Sequence, residues 1–300
     1  MKRLIITADD FGAAREVNDG IEAAHRSGVL TAASLMVAAP EAADAVARAG
    51  RMPGLRIGLH VVLVDGRPML PATELSHLVD GSGMFRSDMA ALGAVIAFNR
   101  QARRQAAAEI TAQFEAFRAT GLPLDHCNAH KHFHLHPLVG ALIAAIGARF
   151  GLRAARVPVE PIGVLRKVER QRHAAPALLL KPFAHLLRRR FRAAGLLVPD
   201  RVFGLHWSGQ MNKARLCGLI DNLPDGLTEI YLHPATGPFA GAAPGYRYRE
   251  ELDALIADEV IAACRHASLR LGGFEDFLVS HTALHPGAAR TAVSKRSLTP

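Results

Sequence analysis

The chain has 300 residues, of which 50% are hydrophobic and 6% aromatic, and its net charge is +9. No run of about 18 apolar residues occurs, and the N-terminus lacks the long apolar stretch of a signal peptide, so we expect no membrane span and a cytoplasmic protein. The cysteines are widely spaced and odd in number, which argues against a disulfide framework and for free thiols. These cysteines are Cys127, Cys217 and Cys264.

Short aliphatic runs alternate with Ala-rich helical patterns along the chain. The candidate strands are residues 3–8, 33–37, 55–60, 124–127, 154–157, 202–206, 228–232 and 269–271. The helical patterns lie at about 15–27, 40–50, 101–119, 137–150, 212–222 and 249–266. This alternation predicts parallel strands with right-handed crossovers, and roughly eight such units predict an α/β fold, a distorted or incomplete TIM-like (β/α) barrel. A doubly wound open sheet is the alternative that periodicity does not exclude.

Two segments interrupt this alternation. Residues 64–99 hold Gly and Pro turns around a candidate short hairpin or lid, and residues 160–200 form a basic insertion. The end of the chain is polar and without periodicity. We therefore expect a single domain over residues 1–282 with two insertions, and a disordered tail over residues 283–300.

The basic insertion carries most of the excess charge. From Arg166 to Arg192, nine Lys or Arg residues stand against the single acid Glu169, and leucines and phenylalanines lie among them. A basic amphipathic segment is typical of contact with an anionic membrane surface or an acidic partner, although an ordinary solvated helix has the same composition. Nucleic acid is a poorer partner, because the segment has no Tyr or Trp on which bases could stack.

Polar residues stand where several candidate strands end. The catalytic groups of a (β/α) barrel come from the carboxyl ends of its strands, so we expect these residues to converge on one face. They are Asp9, Asp10, His60, His130, Arg156 and His233.

A histidine-rich run follows the fourth candidate strand. Its histidines alternate with other residues between His130 and His136. In an extended segment, alternate side chains point to the same side, so the run would present several imidazoles to one place. Imidazole is the commonest protein metal ligand and titrates near neutral pH, which indicates a metal or acid–base site.

These motifs together resemble a known family. Ala8-Asp9-Asp10-Phe11-Gly12, Gly58-Leu59-His60, the His130 cluster and Leu232-His233-Pro234 are similar, in order and approximate spacing, to the YdjC/ChbG-like carbohydrate deacetylases. The resemblance extends to about residue 275. It implies a distorted (β/α) barrel that hydrolyses the N-acetyl group of an amino sugar with a divalent metal, magnesium or zinc.

The same resemblance implies roles for single residues. The metal ligands would be Asp10, His60 and His130, with His132 or His134 as the alternative third ligand. The histidines that do not bind the metal would then face the substrate or support the ligands. Asp9 would accept a proton from a water whose pKa the metal lowers from 15.7 to about 7, and His233 would protonate the leaving amine. Arg156 would orient Asp9 through a charge-assisted hydrogen bond.

Some features are closer to the hopanoid-biosynthesis-associated HpnK branch of that family. These are the long histidine run and the segments 98–105 and 156–161, of which the last contains the candidate substrate-binding residue Glu160. That branch implies an N-acetylglucosaminyl hopanoid as substrate. Segment 166–192 would then hold the enzyme against the inner face of the membrane.

Other functions fit parts of the sequence. A soluble chito-oligosaccharide would require the same catalytic groups as a glycosylated hopanoid. A phosphoesterase also activates water with metal, but it usually needs two ions and bridging carboxylates. A non-haem iron oxygenase shares the ligand types but not the strand–helix alternation. A non-catalytic basic membrane or RNA-binding protein would explain only the charge at 166–192.

Overall fold

The computed structural model describes residues 1–169, 176–266 and 269–278. The tail predicted at 283–300, and part of the basic insertion, lie outside the described residues. Within them, seven strands form one parallel sheet in the order β4-β3-β2-β1-β6-β5, with β7 beside β1. The strands are β1 Lys2–Phe11, β2 Ala32–Leu35, β3 Arg56–Val61, β4 Cys127–Ala129, β5 Arg201–Phe203, β6 Gly226–Leu232 and β7 Leu269–Leu271.

Helices connect these strands and cover the outer face of the sheet. They are α1 Arg15–Ser27, α2 Ala42–Ala49, α3 Met89–Phe98, α4 Arg100–Ala119, α5 Pro137–Arg149, α6 Ile162–Val168, α7 Pro176–Ala193, α8 Lys213–Asp221, α9 Tyr248–Leu255 and α10 Asp258–His266. Short 3-10 helices occur at Ala72–Glu74, His130–Leu135 and Glu275–Phe277. Residues 64–99, predicted as a hairpin or lid, contain one antiparallel bridge between Val79 and Phe85 and then α3.

The sheet curls into a distorted barrel, as the sequence predicts. The two outer strands, β4 and β5, are joined through residues 154–159: Arg156 N–H donates to the carbonyl of Cys127, and Val202 N–H donates to the carbonyl of Val159. A small apolar core lies inside the curl and includes Ile5, Ala32, Ala154, Leu197, Leu227, Phe274 and Phe277. An open sheet would not have its two outer strands joined in this way, so the doubly wound alternative is wrong.

Alternate residues of each strand point into the barrel, which sorts them into layers. On β1, Ile5 belongs to the apolar core, Thr7 hydrogen-bonds the buried Glu229, and Asp9 lies above them. Gly58 on β3 also faces inward, and a Cβ there would come within 2.5 Å of the His126 ring. Along β1 the interior is therefore apolar at Ile5 and polar from Thr7 to the carboxyl end, where the candidate site lies.

Several predicted elements differ from the structure. The strand predicted at 124–127 shares only Cys127 with β4, Cys127–Ala129. The strand predicted at 154–157 makes only single bridges, to Cys127 and Leu197, because the sheet is distorted at its closure. The helix predicted at 249–266 is two helices, α9 and α10, separated at Ile256 and Ala257. None of the helices in the described ranges combines the length and the apolar character that a membrane span requires.

Candidate active site

The two consecutive carboxylates at the end of β1 are brought to one place by an irregular backbone. Successive residues of a regular strand point to opposite faces of the sheet. Here the pairing of β1 with β2 shifts register between Ala8 and Phe11, and Asp10 adopts a φ of 63°. A bulge of this kind redirects a side chain, and a left-handed non-glycine residue costs on the order of 1–3 kcal/mol. The strain lets Asp9 and Asp10 both face the mouth of the barrel.

Asp10, His60 and His130 form a compact group of potential metal ligands. Asp10 Oδ1 lies 3.3 Å from His60 Nε2 and 3.1 Å from His130 Nδ1, and the two ring nitrogens are 3.4 Å apart. Metal–ligand bonds of about 2.1 Å at angles of about 90–109° would separate the donor atoms by about 3.0–3.4 Å. The spacing and chemistry of this donor set therefore fit one divalent ion. Burial opposes the ionisation of Asp10, but His130 and His60 hold its pKa well below the ordinary value.

His60 is oriented by a residue that the sequence reading missed. Its Nδ1 lies 2.6 Å from Oδ1 of Asn128, so Nδ1–H donates to the amide carbonyl and Nε2 faces Asp10. Asn128 is 1% exposed and also donates from Nδ2 to Asp9 Oδ1. In the sequence, Asn128 is an ordinary polar residue between two strand positions, and no pattern singles it out.

Asp9 forms a buried ion pair with Arg156. The guanidinium donates from Nη1 to Asp9 Oδ2 at 2.5 Å and from Nη2 to Asp9 Oδ1 at 3.0 Å, and it also donates from Nε to Glu229 Oε1 at 2.9 Å. Arg156 lies 4.4 Å from the ring centroid of Tyr231 and is fully buried. Burial disfavours the charge of Asp9, but Arg156 outweighs it and lowers the pKa of Asp9 below its ordinary value. The expected contact of Arg156 with Asp9 is thus present.

His233 lies at the end of β6 beside a second acid that the sequence reading missed. Its Nδ1 is 3.8 Å from Glu251 Oε2, and its backbone N–H donates to the same oxygen. Burial disfavours the imidazolium, but Glu251 and the charges of Asp10 and Asp9 raise the pKa of His233 to about 9. Glu251 belongs to α9 and resembles a surface acid in the sequence, yet it is 1% exposed.

The histidine run is not extended, so the prediction that its alternate residues face one side is wrong. Residues His130–Leu135 form a 3-10 turn in which Lys131 and His132 have φ values of 51° and 54°. Two successive left-handed residues rotate the chain, and the imidazoles diverge. Only His130 joins Asp10 and His60, whereas His132 Nε2 lies 2.8 Å from the hydroxyl of Tyr231.

Of the other two candidate substrate-binding residues, His134 is buried, and Glu160 is hydrogen-bonded to backbone N–H groups. His134 is 1% exposed, and burial lowers its pKa to about 3, so it is neutral at physiological pH. Glu160 accepts hydrogen bonds from the backbone N–H groups of Gly204, Leu205 and His206. Glu160 therefore fixes the loop after β5, and its contact with substrate stays a prediction.

Comparisons with known proteins agree with this arrangement. The model of a family described as YdjC-like protein matches residues 3–266. A carbohydrate deacetylase of Geobacillus stearothermophilus is 31% identical over 263 residues, which are 86% of this chain and 91% of that protein. A carbohydrate deacetylase of Brevibacillus brevis is 38% identical over 157 residues, which are 52% of this chain and 58% of that protein.

A solved structure shares the fold. The crystal structure of an Enterococcus faecalis V583 protein, named for cellobiose-phosphate cleavage, superposes with a TM-score of 0.71 at 23% identity. The match covers 92% of this chain and 98% of that one. At this identity the likeness shows the fold alone.

Proposed function

This chain belongs to the YdjC-like protein family, and from that premise we propose that it is a carbohydrate deacetylase that hydrolyses the N-acetyl group of an amino sugar with a divalent metal ion. The observation that carries the proposal is the grouping of Asp10, His60 and His130. Asp9 with Arg156, and His233 with Glu251, flank this group. The names of the two deacetylase relatives support the reaction class.

Asp10, His60 and His130 would hold the metal, which is magnesium or zinc. When bound, the metal lowers the pKa of water from 15.7 to about 7 and polarises a carbonyl oxygen, two effects that an unreactive amide requires. One carboxylate with two imidazoles is typical of zinc sites, whereas magnesium prefers oxygen ligands and would depend more on the carboxylate and on water. These three side chains leave room for further ligands, because each contributes a single donor atom.

Asp9 would act as the general base. It lies next to Asp10 in sequence and is ionised, because Arg156 lowers the pKa of Asp9. A carboxylate that is fixed at both oxygens by a guanidinium has one orientation, which is what proton transfer from a bound water needs. Arg156 would therefore position Asp9, and Glu229 would neutralise part of the guanidinium charge.

His233 would act as the general acid. With a pKa raised to about 9 in the metal-free protein, it carries a proton at neutral pH. The amide nitrogen becomes a good leaving group only once it is protonated, and an imidazolium beside it supplies that proton. Glu251 would hold the imidazolium in place. The two acid–base groups thus have environments that favour opposite protonation states, as this chemistry requires.

The proposed substrate is an N-acetylglucosamine-type sugar, and we favour a lipid-linked form, an N-acetylglucosaminyl hopanoid. The surface of α7 supports a membrane-resident substrate. Its buried side carries Ala184, Leu187 and Phe191, while Phe183 and Leu186 on the outer side are 45% and 42% exposed. Lys181, Arg189, Arg190 and Arg192 are exposed around them. Exposed apolar side chains within a cationic surface are typical of helices that lie on anionic bilayers.

This surface lies close to the candidate site. Arg190 Nη1 donates to the carbonyl of Pro137, directly after the histidine run, and Leu187 packs against Gly140. A protein bound to a bilayer through α7 would therefore hold the His130–Leu135 turn near the membrane surface. That position suits a sugar head group on a lipid, because the lipid could remain in the bilayer while the acetamido group of the sugar enters the mouth of the barrel.

The test of the reaction is acetate release by purified, metal-loaded protein. The substrates are N-acetylglucosaminyl bacteriohopanetetrol in detergent and diacetylchitobiose, each with a chelated control. Chelator-sensitive release from the hopanoid alone is the expected result. Release only from diacetylchitobiose would support the deacetylase reaction and overturn the proposal of a lipid-linked substrate. No release from either substrate would overturn the proposed reaction.

The test of membrane contact is co-sedimentation with phosphatidylglycerol and phosphatidylcholine vesicles. We expect salt-sensitive binding to the anionic vesicles that Phe183→Ser combined with Arg189→Glu abolishes. Arg51→Glu is the matched charge reversal, since Arg51 is exposed near the amino end of β3, far from α7 in the chain. Equal loss in both variants, or no binding by the unaltered protein, would overturn the membrane contact and leave the reaction untouched.

A further inference from the structure

Asn128 connects the candidate metal ligands to the candidate base. Its Oδ1 lies 2.6 Å from His60 Nδ1, and its Nδ2 lies 3.2 Å from Asp9 Oδ1 and 2.9 Å from Ser34 Oγ. The residue lies in β4 and is 1% exposed. A primary amide has two N–H donors and one carbonyl acceptor, so all three functions are in use.

The orientation of this amide follows from its partners. Both oxygens of the Asp9 carboxylate accept hydrogen bonds from Arg156, so this group acts as an acceptor and the NH₂ group of Asn128 must face it. The carbonyl then faces His60 and can only accept, so His60 must carry its proton on Nδ1. As a consequence, Nε2 is the nitrogen of His60 that faces Asp10 and His130 and would bind the metal.

A second buried hydrogen-bond chain holds Asn128 in this orientation. Ser34 Oγ accepts from Asn128 and lies 3.0 Å from His126 Nε2, while His126 Nδ1 lies 2.9 Å from Asp125 Oδ2. Asp125 in turn accepts from the backbone N–H groups of Phe274 and Glu275. Every polar group of this hydrogen-bond chain has a partner, and the chain is buried. Rotation of the Asn128 amide would therefore break its hydrogen bonds with His60 on one side and with Asp9 and Ser34 on the other.

We infer that Asn128 is a positioning residue with two roles: it fixes the metal-binding tautomer of His60, and it holds Asp9 beside the metal ligands. The inference rests on the metal site of the proposed function. It goes beyond that proposal because it predicts that metal affinity and turnover can be separated at one position. The carbonyl of Asn128 governs affinity, and its NH₂ group governs the placement of the base.

Two substitutions separate these roles. Asn128→Ala removes both contacts, and loss of a partner that orients a ligating histidine typically costs about 10–100-fold in metal affinity. Asn128→Asp keeps an acceptor for His60 Nδ1 and nearly the same shape, but it places a carboxylate against Asp9. We therefore expect Asn128→Asp to bind Co²⁺ within about threefold of the unaltered protein and to lose at least about tenfold in turnover.

The measurements are Co²⁺ binding by calorimetry, the visible absorption spectrum of the bound Co²⁺, and acetate release. Asn128→Asp should keep the spectrum, whereas Asn128→Ala should change it. Gln105→Ala is the matched control, because it removes another buried side-chain amide, bonded to His77 N–H and Ser76, without touching Asn128, His60 or Asp9. We expect that variant to stay within about threefold in affinity.

A third measurement requires no variant. In Zn²⁺-loaded protein, long-range ¹⁵N–¹H NMR should show a proton on His60 Nδ1. An Nδ1 without a proton, or equal Co²⁺ affinity for the unaltered protein and Asn128→Ala, would overturn the inference alone. Equal weakening by Asn128→Ala and Asn128→Asp would do the same. Failure of the unaltered protein to bind Co²⁺ would instead overturn the metal site, and the inference with it.

Discussion

Arg156 binds both carboxylate oxygens of Asp9, Oδ2 at 2.5 Å and Oδ1 at 3.0 Å, inside the barrel and away from solvent. A buried guanidinium is stable only when its charge is compensated, and here Asp9 and Glu229 both compensate it. The same contact that satisfies this interior charge also fixes the carboxylate proposed as the base. Under the proposed function, folding and catalysis would therefore depend on the same ion pair.

Asp9→Asn should abolish most of the turnover and leave the metal site in place. The amide has the shape of the carboxylate but cannot accept a proton from water, and general-base catalysis typically contributes about 10²–10⁴-fold. The measurement is acetate release at saturating substrate, with Co²⁺ affinity in parallel. Asp253→Asn, an exposed change on α9, is the control. Turnover within a few fold of the unaltered protein would exclude Asp9 as the base.

Arg156→Met should destabilise the fold strongly. The substitution leaves Asp9 and Glu229 buried without their shared countercharge, and breaking a buried pair in this way costs about 3–5 kcal/mol. Urea unfolding at neutral pH measures the loss. Arg249→Met removes an ion pair to Asp253 whose side chains are 62% and 53% exposed, and it should cost less than about 1 kcal/mol. Equal effects of the two substitutions would contradict the structural role of Arg156.

Alanine substitutions along the histidine run should identify the third metal ligand. His130→Ala removes a donor atom 3.1 Å from Asp10 Oδ1 and should weaken Co²⁺ binding by at least about 100-fold. His132→Ala removes the contact with Tyr231 and should change affinity by less than about threefold. Calorimetry on the two purified variants measures both values. The reverse order would assign the ligand to His132.

His233 should make the stability of the metal-free protein depend on pH. Its pKa is raised from 6.5 to about 9, so the imidazolium stabilises the fold fully below about pH 6.5, and this stability is lost as pH rises through 9. The difference in unfolding free energy between the unaltered protein and His233→Gln should therefore shrink by on the order of 3 kcal/mol across that window. Urea unfolding with chelator at pH 6.5, 8 and 9.5 measures it. A difference that does not vary with pH would contradict the pairing with Glu251.

The barrel was predictable because its strands carry a local signal. A strand buried on both faces has a short continuous run of apolar residues, as in Leu4-Ile5-Ile6. In the helix that follows, hydrophobic residues recur with the helical period. The irregular parts were not predictable. Residues 154–159 bridge β4 and β5 through a few hydrogen bonds, and no local period encodes that.

The sequence by itself determined which residue types stand at the carboxyl ends of the strands, and parallel topology then brings Asp9, Asp10, His60 and His233 to one face. Only the tertiary structure decided which histidine of the run joins them, because the left-handed residues Lys131 and His132 turn the chain.

The partners of these residues were also decided in three dimensions. Asn128 meets His60 through the register of β3 with β4, and Glu251 meets His233 through the packing of α9. A hydrogen bond between residues distant in sequence depends on register and packing, which are properties of the whole fold. The chemistry of each side chain is local and can be read from the sequence, whereas its protonation and orientation depend on neighbours that only folding supplies.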